Sequence, residues 1–287
     1  MYNQITSNKR RTVILLTAFL ALLWAMAYVI SEATGQRGLL FFIGLFSISY
    51  AIFSYFAGAK MALAINRAKE IQKKDNPRLW RTVENLAITE GMPMPKVYIM
   101  DDPTLNAFAT GRDPKHAAVC VTTGLLEKMD DQELEGVMAH ELGHVKNLDM
   151  RVNTIAFALA GIISMIADFF WHITIWGGRD NRNQLMYMLA IVAVILAPIA
   201  AMLIQLAISR RREYLADATG ALTTRFPEGL AQALEKIAAQ GSATKIQNTA
   251  TAHMFFASPL SGKTLAGLFS THPPVEARIK ALREMKL

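Results

Sequence analysis

The sequence contains little charge and almost no cysteine. Asp, Glu, Lys and Arg make up 18% of the 287 residues and hydrophobic residues 52%, a balance too apolar for an ordinary soluble domain of this length. The single cysteine, Cys120, excludes an intramolecular disulfide and any metal site built from several cysteines. Because Cys120 lies in the apolar run 117–121, we expect a buried structural thiol in a reducing compartment.

The charge is missing mainly from four blocks. Each block is long enough to cross about 30 Å of hydrocarbon at 1.5 Å per residue. The blocks predict membrane spans at about 12–30, 39–59, 154–176 and 185–209. The first two form a hairpin, because only a short turn separates them. The last two could instead form a helical hairpin buried inside the protein.

The positive charges of this basic chain cluster at the ends of the blocks. The net charge is +7, and three basic clusters lie at 9–11, 60–74 and 210–212. The positive-inside rule therefore places both termini and the long middle segment in the cytoplasm, with an added attraction to anionic lipid headgroups. A nucleic-acid partner is not expected, because no binding motif accompanies these clusters. The first block is longer than a signal-peptide core and a second span follows it, which indicates an uncleaved anchor.

The remaining residues supply one folded domain in two halves. The predicted organisation is an N-terminal transmembrane hairpin at 1–59, the first half of a catalytic domain at 60–153, a second transmembrane hairpin at 154–209, and the second half of the catalytic domain at 210–287. Local patterns predict helices at 79–89, 228–239 and 275–285, strands at 96–100, 107–111 and 117–123, and a long functional or mobile loop at 240–270.

The segment His140-Glu141-Leu142-Gly143-His144 is the most informative motif. Residues four apart lie on one face of an α-helix, so the two imidazoles can hold one Zn²⁺ while Glu141 takes a proton from water at the metal. Asp130 and Glu133 have the spacing of a capping box at the start of this helix. Gly143 leaves room for close packing near the metal. The alternative is a helix carrying two ordinary surface histidines.

A hydrolytic zinc site uses three protein ligands and leaves one position open. Glu213 is the strongest candidate for the third ligand, because it follows the fourth block and returns to the membrane face at which His144 lies. Asp217, one turn later, could accept the free N–H of a zinc-bound imidazole. Glu213 could instead pair with a neighbouring arginine, and Asp217 could be a surface carboxylate. The other histidines are His116, His172, His253 and His272.

These motifs together resemble the HtpX group of membrane zinc metalloproteases, which is related to the CAAX prenyl proteases. The resemblance covers essentially the whole chain and includes the order of the four hydrophobic blocks. The motifs that carry it are Asn106-Ala107-Phe108-Ala109-Thr110-Gly111, His140-Glu141-Leu142-Gly143-His144, Arg212-Glu213-Tyr214-Leu215-Ala216-Asp217, and Thr271-His272-Pro273-Pro274 with Arg278.

The resemblance implies a role for most of these residues. His140, His144 and Glu213 would bind one zinc ion per chain, and Glu141 would be the general base. The substrate would bind as an added strand along Asn106, Ala107, Phe108 and Ala109. His272 or Arg278 could stabilise the oxyanion. His272 could instead cap or pack before the Pro-Pro turn, and Arg278 could instead pair with Asp217 or with a helix C-terminus.

We therefore expect a mainly α integral membrane protein with four transmembrane helices and a zincin-like (gluzincin) α+β catalytic domain in the cytosol. Its expected activity is zinc-dependent cleavage of membrane proteins or unfolded polypeptides. The expected substrates are damaged or misfolded membrane proteins cut in their cytosolic segments, and the resemblance suggests a role in quality control. The sequence leaves two alternatives open. One is an intramembrane protease, which the charges of Lys146, Asp149 and Arg151 beside the motif oppose. The other is a membrane scaffold with a purely structural zinc ion.

Overall fold

The computed structural model describes residues 2–35, 37–176, 210–240, 254–256 and 273–285. In chain order the elements are α1 (Tyr2–Thr34), α2 (Gly38–Ile65), β1 (Lys69–Glu70), α3 (Pro77–Thr89), β2 (Lys96–Met100), β3 (Ala107–Gly111), a 3₁₀ turn (Pro114–His116), β4 (Ala117–Thr122), α4 (Thr123–Lys128), α5 (Asp131–Lys146), α6 (Asp149–Trp176), α7 (Arg210–Thr224), α8 (Pro227–Gln240) and α9 (Val275–Arg283).

Two long apolar helices are the candidate membrane spans of the described chain. The segments Ile5–Tyr28 of α1 and Leu40–Ile65 of α2 are long and apolar enough to span a membrane. The two helices pack against each other and against α6. Large side chains on the outside of α2 are exposed, for example Phe41 at 82% and Phe42 at 75%, as expected of a surface in contact with lipid.

The second pair of predicted spans is only partly described. Residues 154–176 lie within α6, whose buried residues up to Ile163 pack on α1. Residues 177–209, including the predicted span 185–209, lie outside the described residues. The arrangement with four spans, the domain boundaries and the gluzincin layout therefore stay predictions.

The polar part contains one four-stranded sheet of order β1-β2-β4-β3. Strands β2 and β4 run parallel, and the other neighbouring pairs are antiparallel. β2 and β3 have the bounds that the sequence pattern predicts, and β4 ends one residue earlier, at Thr122. α3 begins before the predicted residue 79, because Asn76 accepts a hydrogen bond from Leu79 N and Pro77 occupies the first turn.

Helix α5 is the central helix of the polar part. The predicted capping box is present, since Asp130 accepts from Glu133 N and Glu133 accepts from Asp130 N. α5 packs against α3, α7, α8 and β3, which buries almost all of its second half. Two glycines, Gly143 of α5 and Gly220 of α7, lie where these two helices approach each other. The approach is closer at Gly220, where an added Cβ would lie 3.0 Å from His140 N. A Cβ at Gly143 would lie 3.4 Å from Ala216 O, so the close approach depends less on Gly143 than the sequence suggests.

A sharp corner joins α5 to α6. α5 ends at Lys146 and α6 begins at Asp149, and the chain turns through Leu148 with a φ of 60°. A non-glycine residue in this left-handed region is uncommon. The corner brings Asp149, the first residue of α6, beside His144 of the preceding helix.

Candidate metal centre

Three ligand atoms from two helices converge at the buried face of α5. His140 and His144 lie one turn apart, and their Nε2 atoms are 3.1 Å from each other. From α7, Glu213 places Oε1 3.5 Å from His144 Nε2 and Oε2 3.8 Å from His140 Nε2. Two nitrogen ligands at the Zn–N distance of about 2.1 Å in a tetrahedral site lie about 3.4 Å apart. The His-His-Glu group can therefore hold a metal ion such as zinc.

The other ring nitrogen of His140 contacts a buried ion pair. His140 Nδ1 lies 2.8 Å from Asp217 Oδ1, and Arg278 of α9 binds both oxygens of Asp217 at 2.7 and 2.8 Å. Because Nδ1 donates to Asp217, the 3.4 Å approach of Arg278 Nη2 to Nδ1 is a contact between two donors. This arrangement fixes the tautomer in which His140 Nε2 is free to bind a metal.

His144 has a different carboxylate partner, which the sequence motifs do not reveal. Its Nδ1 lies 3.1 Å from Asp149 Oδ2. Asp149 in turn accepts a hydrogen bond of 2.6 Å from Asn8 of α1 and lies 3.4 Å from Arg212 of α7. Asn8 is completely buried and also donates to Asn147 O at 2.8 Å. The first membrane helix is thus linked through one carboxylate to a candidate metal ligand.

The two histidines have opposite pKa shifts. Burial is the main cause that lowers the pKa of His140 to about 4, against the opposing effect of Asp217. Burial also acts to lower the pKa of His144, but the hydrogen bond to Asp149 and the carboxylates of Glu213 and Glu141 raise it to about 9. In both cases a carboxylate holds Nδ1, which leaves Nε2 directed at the candidate metal position.

Glu141 lies beside the three ligand atoms and borders the same cavity. Burial raises its pKa to about 7, Glu213 adds to the rise, and His144 and a hydrogen bond from the Ala109 backbone N–H oppose it. A carboxyl group with this pKa can accept and release a proton near neutral pH. Glu141 therefore has both the position and the proton affinity of a general base.

The free edge of β3 is occupied by a segment of the same chain. Phe255 pairs with Phe108 in an antiparallel bridge, and Phe256 N donates to Ala107 O at 2.8 Å. The ring of Phe256 also lies 4.9 Å from the ring of His140. The short segment 254–256 therefore covers the edge at which the sequence resemblance places the substrate strand.

The remaining predicted site residues have the following positions. Asn106 is completely buried and accepts from Ala107 N with its side chain, so its amide lies inside the fold. Arg278 is paired with Asp217, which is the alternative that the sequence left open beside a role at the oxyanion. His272 and His253 lie outside the described residues. Cys120 is buried as expected, and burial raises the pKa of its thiol.

Comparison with known proteins identifies the family. The sequence pattern of Peptidase family M48 matches residues 73–286 of this chain. The chain belongs to peptidase family M48. It is 48% identical to a protease HtpX homologue of Tropheryma whipplei (strain Twist) over 287 residues, covering 99% of this chain and 98% of that protein. It is 41% identical to a protease HtpX homologue of Ligilactobacillus salivarius, with 99% of this chain and 100% of the relative covered.

A solved structure shows the same fold in a more distant protein. The crystal structure of S. mikatae Ste24p matches with a TM-score of 0.51 and 19% identity over 98% of this chain. The M48 chain described here spans 66% of the length of that protein. The family and the apolar helices together show that it is a membrane metalloprotease. The resemblance to the HtpX group that the sequence motifs indicate is thus confirmed.

Proposed function

We propose that this M48 protein is a zinc endopeptidase with one zinc ion per chain held by His140, His144 and Glu213. The observation that supports it best is the convergence of these three ligand atoms within 4.8 Å of one another, with Glu141 beside them. A bound Zn²⁺ would supply Lewis-acid polarisation of a water molecule and of the scissile carbonyl group. Asp217 and Asp149 hold the two imidazoles in the orientation that binding requires.

In this mechanism Glu141 moves the proton. Its carboxylate takes a proton from the attacking water and later gives it to the nitrogen of the leaving amine. Arg278 binds Asp217 through Nε and Nη2, so its proposed part in the mechanism is to keep Asp217 ionised beside His140. His272 remains the proposed oxyanion stabiliser on the resemblance alone.

The substrate is proposed to bind as an extended strand along β3, at Ala107 to Ala109. Backbone pairing of this kind holds a peptide with little sequence preference, which suits varied polypeptide substrates. In the described structure Phe255 and Phe256 pair with this edge. A substrate strand must therefore displace segment 254–256 before its scissile bond can reach Glu141.

The proposed substrates are damaged or misfolded membrane proteins, cut in their cytosolic segments during quality control under stress. The apolar helices confine the enzyme to the same bilayer as such proteins, which raises their effective concentration. The site is attached directly to α1, because Asn8 of α1 bonds to Asp149, the carboxylate that contacts His144.

Three variants test the proposed function. Glu141→Gln should retain one zinc per chain but lower the cleavage rate of casein by about 10²–10⁴-fold, because it removes the base and no ligand. Glu213→Ala should lose zinc as well as activity, because only two protein ligands remain. Zinc is measured by inductively coupled plasma mass spectrometry on protein purified in detergent.

Phe255→Ala should lower the KM for casein, since segment 254–256 then leaves β3 more easily.

The alternatives predict different results. Full activity of Glu141→Gln would exclude Glu141 as the general base. Full zinc content of Glu213→Ala would mean that the third ligand is His272, His253 or Asp217. A structural zinc site in a membrane scaffold predicts zinc without cleavage in the unaltered protein. A KM that stays constant or rises in Phe255→Ala would show that segment 254–256 is a wall of the cleft.

The metal site is also proposed to face the cytosol as part of an inner-membrane protein with both termini inside. Single cysteines test this in a Cys120→Ser background with labelling of sealed vesicles of known orientation. Glu127 is an exposed position on the polar part, whereas Asn147 beside the motif is buried and unsuited to labelling. Glu127→Cys should react only from the cytosolic side and Gly178→Cys only from the other side. Reaction of both cysteines from the same side would show that the second predicted pair of spans is a hairpin that does not cross the membrane.

A further inference from the structure

A cavity of about 210 Å³ lies where the second membrane helix meets the sheet, and it shares no lining residue with the metal-site cavity. One wall comes from the last third of α2, with Phe56 and Lys60. The opposite wall comes from β2 and from the turn between β3 and β4, with Lys96, Arg112 and Lys115. These five residues define the interface pocket.

The depth of the interface pocket follows from the length of α2. The segment of α2 that is long and apolar enough to span a membrane is Leu40–Ile65. About twenty residues at 1.5 Å each cross roughly 30 Å of hydrocarbon, so a crossing that starts at Leu40 ends near residue 59. Lys60 is the first charged residue after this uncharged stretch. Phe56 is 57% exposed just before it. The pocket therefore lies at the level where acyl chains end and headgroups begin.

The interface pocket carries an excess of positive charge. Lys96 pairs with Glu70 at 2.9 Å, and Arg112 lies 3.5 Å from Asp113, which also holds His116 at 2.7 Å. Lys60 and Lys115 have no acidic partner within 4 Å among the residues that the structure describes. Four cationic side chains face two carboxylates, so two positive charges remain for an anion. Such charges attract anionic headgroups at the membrane surface.

The shape of the pocket suits a molecule with a phosphate and an apolar part. The Arg112 guanidinium stacks 5.0 Å from the centre of the Phe56 ring, which fixes a planar cation above an apolar floor. Guanidinium and ammonium groups are the usual ligands of phosphate oxygens in proteins. The exposed ring of Phe56 can contact the first carbons of an acyl chain at the same time.

We propose that the interface pocket binds one anionic phospholipid, with its phosphate between Lys60, Arg112 and Lys115 and its acyl chains along Phe56. The bound lipid connects α2 to the turn between β3 and β4. The same turn follows β3, the strand at the edge of the metal site. A free phosphate ion would use the same cationic groups but not the apolar floor.

The test uses the full chain in mild detergent and measures retention of phosphatidylglycerol against phosphatidylcholine by native mass spectrometry. Lys60→Gln with Lys115→Gln should weaken phosphatidylglycerol retention by about tenfold or more, since each lysine near the surface contributes to anionic lipid binding. The control double variant, Lys74→Gln with Lys128→Gln, removes two exposed lysines away from the pocket and should retain the lipid. The conservative double variant, Lys60→Arg with Lys115→Arg, keeps both positive charges and should retain phosphatidylglycerol like the unaltered protein.

Three results would overturn the proposal. An equal loss in the control variant would mean a general attraction to the basic surface. Equal retention of phosphatidylcholine by the unaltered protein would mean that the phosphate-binding cations do not select the lipid. Displacement of phosphatidylglycerol by millimolar inorganic phosphate alone would mean a free-anion site without a role for Phe56.

Discussion

The two candidate histidine ligands belong to one helix but are held by different parts of the molecule. The partner of His140 is Asp217, neutralised by Arg278, so its support comes from α7 and α9 of the polar part. The partner of His144 is Asp149, at the start of α6 and bonded to Asn8 of α1. The comparison teaches that the metal site joins the membrane helices to the polar part and is not built by the polar part alone.

The two supports also differ in how completely they are paired. Asp217 and Arg278 form two parallel hydrogen bonds, the strong bidentate geometry of a guanidinium and a carboxylate. Around Asp149, the buried atoms Asn8 Oδ1 and Arg212 Nε have no hydrogen-bond partner within the described part of the chain. The support of His144 therefore has fewer paired polar atoms among the described residues than the support of His140.

The largest effect that the comparison predicts is the loss of Arg278. Arg278→Ala leaves Asp217 buried without its cation and should lower the free energy of unfolding by about 3–5 kcal/mol. The matched control is Arg283→Ala on the same helix, which removes an exposed pairing with Glu228 and Glu235 and should cost far less, because water and salt screen exposed ion pairs. Denaturant titration in detergent checks both. Equal losses would show that the buried pair adds no special stability.

A smaller effect is expected when each carboxylate is neutralised. Asp217→Asn should raise the Kd for zinc by about 100-fold, and Asp149→Asn by about tenfold, within the range found for partners of metal-binding histidines. The first change is the greater because it also leaves the Arg278 cation buried next to His140. Competition with a fluorescent zinc chelator measures both constants. A larger effect of Asp149→Asn would reverse the ranking of the two supports.

The smallest predicted effect concerns the hydrogen bonds that connect α1 to Asp149. Asn8→Ala removes a hydrogen bond to Asp149 and one to the Asn147 carbonyl. One buried hydrogen bond contributes about 0.5–1.5 kcal/mol, so the Kd for zinc should rise by about two- to tenfold. Ser47→Ala serves as the control, since this buried hydroxyl donates to Gly44 O within α2 and has no other hydrogen bond among the described residues. The same rise in the control would mean that any defect in the membrane helices loosens the site.

Much of the fold follows from local sequence patterns. β2 and β3 have the predicted bounds because they are short apolar runs closed by turn residues, and the capping box fixes the start of α5. α3 begins two residues before its predicted start, because Asn76 caps the helix and Pro77 occupies its first turn ahead of the amphipathic pattern. The metal-binding pattern was visible for the same local reason, since a spacing of four residues places two histidines on one helix face.

The rest depended on contacts between distant residues. Asn8 and Asp149 are 141 positions apart, and Asp217 and Arg278 are 61 apart, so no periodicity or spacing connects them. The only signal that could have indicated Asp149 is its position five residues after His144, and that spacing is not a fixed motif. Nor does any local pattern show that Phe255 and Phe256 pair with β3.

The sequence by itself determined the elements whose cause is local: the apolar helices, the strands, the capped helix and the pair of histidines that it carries. The tertiary structure alone decided which carboxylate holds each histidine, that Arg278 is occupied by Asp217, and that segment 254–256 covers the edge of β3. The physical reason is that hydrophobic periodicity and helix caps act over a few residues. The partners of a buried charge are set instead by the packing of whole helices against one another.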